Sequence, residues 1–178
     1  MDAQAIIDNL TPLVPDASFE AAPSVDFAAV YVPVGQLVAA CQALRDSMNF
    51  EVLVEVTAAD YLPRAPRYEV VYHLLSVSKR LRLRLKVRVP ADGTVPTVQS
   101  VYPAAGWLER EVWDMFGIVF DGHNDLRRLL MPEDWEGHPQ RKDYPVQIQK
   151  AAQTYAPLEV TQEQFRASLE RDRVKRPH

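Results

Sequence analysis

Three carboxylates, Glu109, Glu111 and Asp114, crowd around Arg110, and Asp121, His123, Asp125, Glu136 and His138 follow. Residues of these types can move protons, ligate a metal or form ion pairs, and spacing decides among the three. On a helix Glu109 and Glu111 lie two apart and face different ways, so they do not share a proton. The two histidines and their acidic neighbours match no usual zinc spacing. Arg110, Arg127 and Arg128 stand ready as counter-ions, so salt-bridged docking outweighs acid–base work for these groups. Cys41 is the single cysteine. One thiol makes no internal disulfide and supplies neither an iron–sulfur cluster nor a four-cysteine zinc site. It falls on the apolar face of a predicted helix and reads as a small core residue. The six glycines are scattered, with no phosphate-cradling loop and no nucleophile elbow. The residues therefore point to a chain with no catalytic group, metal or cofactor of its own.

The run from Glu109 to Pro145 holds two of the three tryptophans and two of the four histidines. Ordering such a segment costs roughly 1–2 kcal/mol per residue in backbone entropy. If ordered, it must lie against its own domain or against a partner. From Gly122 to Val160 no period is sustained, and Pro132, Pro139, Pro145 and Pro157 punctuate the stretch. A structureless segment of this length is functional or disordered, and its aromatics and paired charges disfavour disorder.

The elements that must position this run are regular. Asp2 is placed to cap a short helix whose Ile6, Ile7 and Leu10 share a face, ended by Pro12 and Pro15. Asp26–Val32 is strand-like, and Leu37, Val38, Cys41, Leu44 and Met48 recur at helical spacing. Glu51–Thr57 alternates, with Val52, Val54 and Val56 expected on one side and Glu51, Leu53 and Glu55 on the other. Tyr68–Val77 reads as a strand, with Ser78-Lys79-Arg80 as a tight connection. In Leu81–Val89 leucines and valines alternate with Arg82, Arg84, Lys86 and Arg88, a half-buried antiparallel strand. Its basic face reads first as solvated and as a guard against edge pairing, and second as a docking surface for an acidic partner. Asp92-Gly93 marks a turn and Val95–Tyr102 a broken strand. Ala104–Phe116 is a predicted helix stopped by Gly117. On it Leu108, Val112 and Met115 form the apolar stripe, Trp107, Glu111 and Asp114 a neighbouring face, and Arg110 and Asp114 an i, i+4 pair. Ile118–Phe120 is a further short strand, and Thr161-x-x-Gln164 a capping box opening a final helix with Phe165 and Leu169 as its apolar side.

The 178 residues carry a formal charge of −4 and a pI near 5.6, unlike a general nucleic-acid binder. There is no apolar stretch of the length needed to span a bilayer, and the N-terminus has no signal-peptide core. The expectation is a cytoplasmic protein of two parts. Residues 1–120 form an α+β two-layer domain, a mixed, largely antiparallel sheet against helices. Residues 121–178 form an extended, mostly irregular partner-binding arm with a short C-terminal helix.

The dense run resembles the signature of the C-type core subunit of bacterial NADH:quinone oxidoreductase, respiratory complex I. The resemblance covers Gly106 to Pro145 nearly continuously. It is carried by Glu109-Arg110-Glu111, Asp114-Met115-Phe116-Gly117-Ile118, Phe120, Gly122-His123, Asp125-Leu126-Arg127-Arg128-Leu129-Leu130, Pro132-Glu133-Asp134-Trp135-Glu136-Gly137-His138-Pro139 and Arg141-Lys142-Asp143-Tyr144-Pro145. Gln140 stands where the family commonly has an apolar residue. The resemblance implies a non-catalytic core subunit of the peripheral arm of a proton-translocating enzyme, needed for assembly and for shaping the quinone-side electron-transfer module. It implies a position on the cytoplasmic side of the bacterial inner membrane, touching the membrane only through the complex. Its partners would be the quinone-cavity subunit and the cluster-bearing subunits of the hydrophilic arm. Flavin mononucleotide, iron–sulfur clusters and quinone would belong to other subunits. The expected family-motif or partner-interface residues are Glu109, Arg110, Glu111, Asp114, His123, Asp125, Arg127, Arg128, Trp135, His138, Arg141, Lys142, Asp143 and Tyr144. An equivalent subunit of a membrane-bound hydrogenase, or of a complex using a donor other than NADH, is the nearest alternative. A stand-alone soluble metal enzyme is a distant one.

Overall fold

Alternation in Leu81–Val89 fixes the centre of the molecule. In the computed structural model, which describes residues 2–145 and 161–167, Leu83, Leu85, Val87 and Val89 are fully buried and the basic residues point the other way. This strand, β5 (Leu81–Val89), pairs antiparallel with β4 (Tyr68–Ser76), which pairs antiparallel with β3 (Val52–Asp60). On its other side β5 runs parallel to β2 (Ala29–Tyr31), and β2 pairs antiparallel with β1 (Glu20–Ala21). The sheet order is β1-β2-β5-β4-β3. The fold is α+β with a mixed, largely antiparallel sheet. One expectation is corrected: β5 has neighbours on both sides, so its basic face guards no edge, and one of its two pairings is parallel.

Helices cover one face. Asp2 caps α1 (Ala3–Leu10) by accepting from the Ala5 N–H, and Ile6, Ile7 and Leu10 turn inward. A short 3-10 turn, Val34–Gln36, leads into α2 (Leu37–Asp46), whose Leu37, Ala40, Cys41 and Leu44 are buried. Cross-strand pairs Tyr72–Leu85, Val70–Val87 and Leu74–Leu83 supply the sheet's share of that core.

The alternation expected in Glu51–Thr57 is overturned. The pairing of β3 with β4 shifts between Leu53 and Glu55, so Leu53 and Val56 face the core while Val52 and Val54 are exposed. A bulge adds one residue and reverses side-chain facing beyond it, which a period-two reading does not anticipate.

Beyond β5, a turn at Asp92-Gly93 leads to β6 (Thr94–Pro96), α3 (Ala105–Phe116) and β7 (Val119–Asp121), with β6 and β7 paired in parallel. The helix packs against β3. It ends at Gly117, whose φ of 73° is left-handed. A Cβ there would also collide with His138 and Arg141, so glycine is required for both backbone and space. The inward face of α3 is Ala105, Glu109, Val112 and Phe116 with Met115. Leu108 is only partly buried, so the core seam includes a carboxylate that apolar periodicity skips.

Contacts gather Met1–Tyr144 into one compact unit and Pro145–His178 into a second. In the second, a helix over 162–167 opens with a reciprocal capping box. The Thr161 N–H donates to Gln164 Oε1 and the Gln164 N–H to Thr161 Oγ1. Pro157 and Leu169 lie outside the described residues.

Candidate functional site

The irregular run from Gly122 to Tyr144 is tied to α3 by side chains reaching for main chain. Asp114 is the principal anchor. It is fully buried, and its Oδ2 accepts the N–H groups of Leu129, Leu130 and Met131 at 3.0, 2.8 and 3.0 Å. Its Oδ1 takes Arg128 Nη1 at 2.9 Å. Three successive amides converging on one carboxylate form a nest that favours negative charge. Burial acts to raise the Asp114 pKa. The Met131 N–H, Arg128, and the Leu129 and Leu130 N–H groups outweigh it and hold the carboxyl below its ordinary value.

Two arginines lace the segment. Arg128 donates through Nη1 to Asp114 and through Nη2 to the carbonyls of Trp135 (2.7 Å) and Gly137 (2.9 Å). Its guanidinium also lies 5.4 Å from the Trp113 ring centroid. Arg110 donates to the carbonyls of Arg127 (2.7 Å) and Arg128 (2.5 Å), and Nη1 stands 3.4 Å from Asp125. The planar fork suits such multidentate work. The Arg110–Asp114 pair expected from helical spacing is not the one formed: Arg110 pairs with Asp125, and Asp114 with Arg128. Long-range partners on the wrapped segment win over the local one.

The C-terminus of α3 exposes carbonyls that need donors, and the segment brings them. His138 Nδ1 is 3.0 Å from the Asp114 carbonyl, the Gln140 N–H donates to the Met115 carbonyl at 3.0 Å, and Arg141 Nε donates to the Phe116 carbonyl. Gln140 contributes this bond through its backbone, which explains how a polar side chain is accommodated where an apolar one is common. The Arg141 cation also suits the negative end of the helix dipole. Burial lowers the His138 pKa first of all, with Arg141 and Arg128 adding to the effect.

The far end of the segment is pinned to the sheet. Arg67 donates to Asp60 and to Asp143, both at 2.7 Å through Nη2, and Asp60 Oδ2 also accepts the Lys142 N–H at 2.9 Å. The Arg67 hydrogen bonds hold Asp60 well below the usual carboxylate range. Tyr144 donates its hydroxyl to the Glu136 carbonyl. Neither Asp60 nor Arg67 was legible as part of the site, because 82 residues separate Asp60 from Lys142 and nothing local marks the pairing.

Near the start of α3, His123 accepts the Asp125 N–H at Nδ1 (3.0 Å), which leaves Nε2 to donate to the Gly106 carbonyl (2.9 Å). Bonded to carbonyls eight residues apart on α3, the two histidines sit roughly 12 Å apart along its axis. They serve as separate clamps. Arg127 pairs with Asp125 at the surface. Trp135 and Tyr144 are half-buried, while Glu111 and the Lys142 side chain make no hydrogen bond or ion pair among the described residues.

Glu109 differs from all of these. It is 0% exposed and, among the described residues, accepts from Thr97 Oγ1 (2.5 Å) and the Val98 N–H (2.8 Å) alone. Burial without a cation pushes its pKa up to about 7, although both hydrogen bonds oppose the rise. Thr97 was missed in sequence because a threonine between strand and helix reads as an ordinary turn residue. The whole arrangement is a brace: buried charges fix the path of an irregular segment and leave its outer side chains presented.

Comparison with known proteins follows the same residues. The family model described as respiratory-chain NADH dehydrogenase, 30 Kd subunit, matches residues 30–150. A Roseiflexus protein, named as the C subunit of NADH-quinone oxidoreductase, is 42% identical over 158 residues, covering 87% of this chain and 91% of its own. Its namesake in Saccharopolyspora erythraea is 52% identical over 120 residues, 65% of this chain and 48% of that protein. This chain therefore spans about half the length of some of the relatives it matches and nearly all of others. A chain from the solved structure of the membrane-bound sulfane sulfur reductase, an archaeal respiratory membrane complex, superposes with a TM-score of 0.68 at 29% identity, covering 80% of this chain and 85% of that one.

Proposed function

We propose that this chain, which belongs to the family of the respiratory-chain NADH dehydrogenase 30 Kd subunit, is a non-catalytic core subunit of the peripheral arm of a proton-translocating NADH:quinone oxidoreductase. Its task is assembly and the shaping of the quinone-side electron-transfer module. The observation that carries this reading is the brace on α3, in which Arg110, Asp114, Arg128, His138 and Arg141 satisfy one another and main-chain groups of the family-motif segment. An irregular segment fixed in advance loses less entropy on docking than a floppy one, which favours tight assembly. The docking arm is residues 121–178, and its partners are the quinone-cavity subunit and cluster-bearing neighbours. Flavin, clusters and quinone reside in those other chains, on the cytoplasmic side of the membrane. No helix among the described residues is long and apolar enough to cross a bilayer, which suits attachment through the complex.

Deleting the chain in a host that carries the whole assembly tests the reading. NADH:quinone activity of membranes should vanish, while NADH oxidation with an artificial acceptor persists in any assembled flavin module, because that chemistry lies upstream. Retention of quinone reduction without the chain would overturn it. A second reading, the equivalent subunit of a respiratory complex using another donor, draws on the likeness to the archaeal reductase chain. Membranes that reduce quinone with a different donor and not with NADH would favour it.

A further inference from the structure

The sheet face turned away from the helices holds a groove of about 470 Å³ between β5 and β3, its rim formed by Phe27 of the loop before β2. Its floor combines apolar side chains, with Val54 53% exposed and Leu75 partly so, and the half-buried His73. The bulge in β3 turns Val54 outward, and Val52 and Val77, also exposed, extend the apolar strip along the same end of the sheet. Exposed valines on a long edge strand are a liability for an isolated chain, and a contiguous apolar patch rimmed by charge marks an interaction site.

The charges around this groove are not equivalent. Arg84 is committed to Asp26 and lies over the Phe27 ring at 4.6 Å. Lys86 and Arg88, further along the same strand, are committed to Glu69 and Glu20. Arg82 on the β5 rim and Glu55 on the β3 rim have no hydrogen bond or ion pair among the described residues. Register places Arg82 opposite Leu75 and places His73 between Arg84 and Glu55. Arg82 on the row of Leu75 and Glu55 on the row of His73 thus stand diagonally across the groove, an exposed cation and an anion with no partner among the described residues.

We infer that this groove docks a segment of another subunit of the assembly that inserts an apolar side chain over Val54 and Leu75, offers a carboxylate to Arg82 and offers a cation to Glu55. Opposed free charges fix the direction in which such a segment lies, which is how rim electrostatics give specificity. The inference rests on the reading of the chain as a subunit of a respiratory complex. It places a docking surface on the sheet, apart from the brace on α3.

The test uses the full chain carrying Val54→Cys. Cys41 is the single native cysteine, buried, with its thiol pushed up to about 12 by burial, so the new thiol is the reactive one. Maleimide labelling should be rapid in the free chain and fall about tenfold or more in the purified assembled complex, as for an exposed site that becomes covered. Arg82→Glu should leave the melting temperature of the free chain unchanged and lower its incorporation into the complex, and adding Glu55→Arg should not restore incorporation. Equal labelling of Val54→Cys in free and assembled chain would overturn the groove alone. Failure of the wild-type chain to enter any respiratory complex would overturn the subunit reading and the groove with it. Concentration-dependent self-association, broken by Arg82→Glu and restored by the double reversal, would assign the groove to a second copy and also overturn the proposal.

Discussion

Strand β5 and the segment from His123 to Tyr144 draw on the same residue types, leucines and arginines above all, and are held by different physics. In β5 the leucines face the core, the backbone pairs with two neighbours, and the cations point outward to meet Asp26, Glu69 and Glu20. In the segment Arg128 and Arg141 point inward, joined by Arg110 from α3, and these guanidiniums take the place of a backbone ladder by donating to carbonyls of the helix end and of the segment itself. The sheet buries apolar area on one face and carries its charges on the other, where Lys86 and Glu69 form a largely covered pair and Arg82 and Arg88 stay exposed. The segment buries charge and leaves its outer side chains to solvent. An arginine removed from one region should therefore behave unlike an arginine removed from the other.

The sharpest way to break this contrast is an interior charge in β5. Leu85 is fully buried, so Leu85→Asp places an unpaired carboxylate in the core and should cost about 5 kcal/mol. Urea unfolding followed by circular dichroism should show a chain largely unfolded without denaturant. A loss under about 1 kcal/mol would mean that β5 is not the strand that organises the core.

Next in size is Arg128→Ala. The substitution strands the buried Asp114 carboxylate and the Trp135 and Gly137 carbonyls, and breaking one side of a buried pair typically costs about 3–5 kcal/mol. Arg127→Ala, one residue away, removes only an exposed pair with Asp125 and should change stability by about 0.5 kcal/mol or less. Equal losses from the two would show that the guanidinium of Arg128 is not what fixes the segment. Arg128→Lys should recover only part of the loss, because one ammonium does not reproduce the fork.

Legibility in the sequence follows the same divide. The alternation of β5 was readable because period two needs only neighbours. The Asp2 cap, the Gly117 stop and the Thr161 capping box were readable because each is decided within four residues. The exposure of Val54 was not, since a bulge shifts register through the partner strand β4. Spacing proposed Arg110–Asp114, and the chain instead chose Asp125 and Arg128, because a segment folding back offers partners that helical spacing does not contain. The motif showed that the region matters. It did not show that Asp60 and Arg67, far away in sequence, hold its end.

Glu109 gives a smaller effect with a definite sign. Its folded pKa is raised by burial from 4.5 to about 7, so its contribution to stability is full below pH 4.5 and is lost as pH rises through about 7. The difference amounts to roughly 3 kcal/mol. Glu109→Gln keeps an acceptor for the Val98 N–H and a donor for Thr97 Oγ1, and it removes the titration. The gap in melting temperature between variant and wild type should therefore widen in the variant's favour from pH 5 to pH 8. Taking the difference matters, because His73 and His138 have lowered values and act oppositely within this range, losing stability as pH falls, whereas Asp60 and Asp114 lose theirs only below about pH 3.8. A constant gap across that range would mean that Glu109 remains charged in the fold.

The smallest effect returns to the basic face of β5 and tests whether its cations are as independent of the fold as the contrast requires. Arg84 bridges to Asp26 at 3.2 Å, donates to Ser24 and covers Phe27. Arg82, two residues earlier on the same face, is exposed and makes no such contact among the described residues. Arg84→Gln should therefore cost about 0.5–1 kcal/mol, the value of one surface pair and a stacked cation, and Arg82→Gln should fall within about 0.5 kcal/mol of wild type. Added salt should narrow the Arg84 difference, since an exposed pair is screened, and should leave the Arg82 variant where it was. A loss of several kcal/mol at either position would place that cation in the fold's interior energetics and erase the distinction between a sheet that carries its arginines on its outer face and a segment that is built on them.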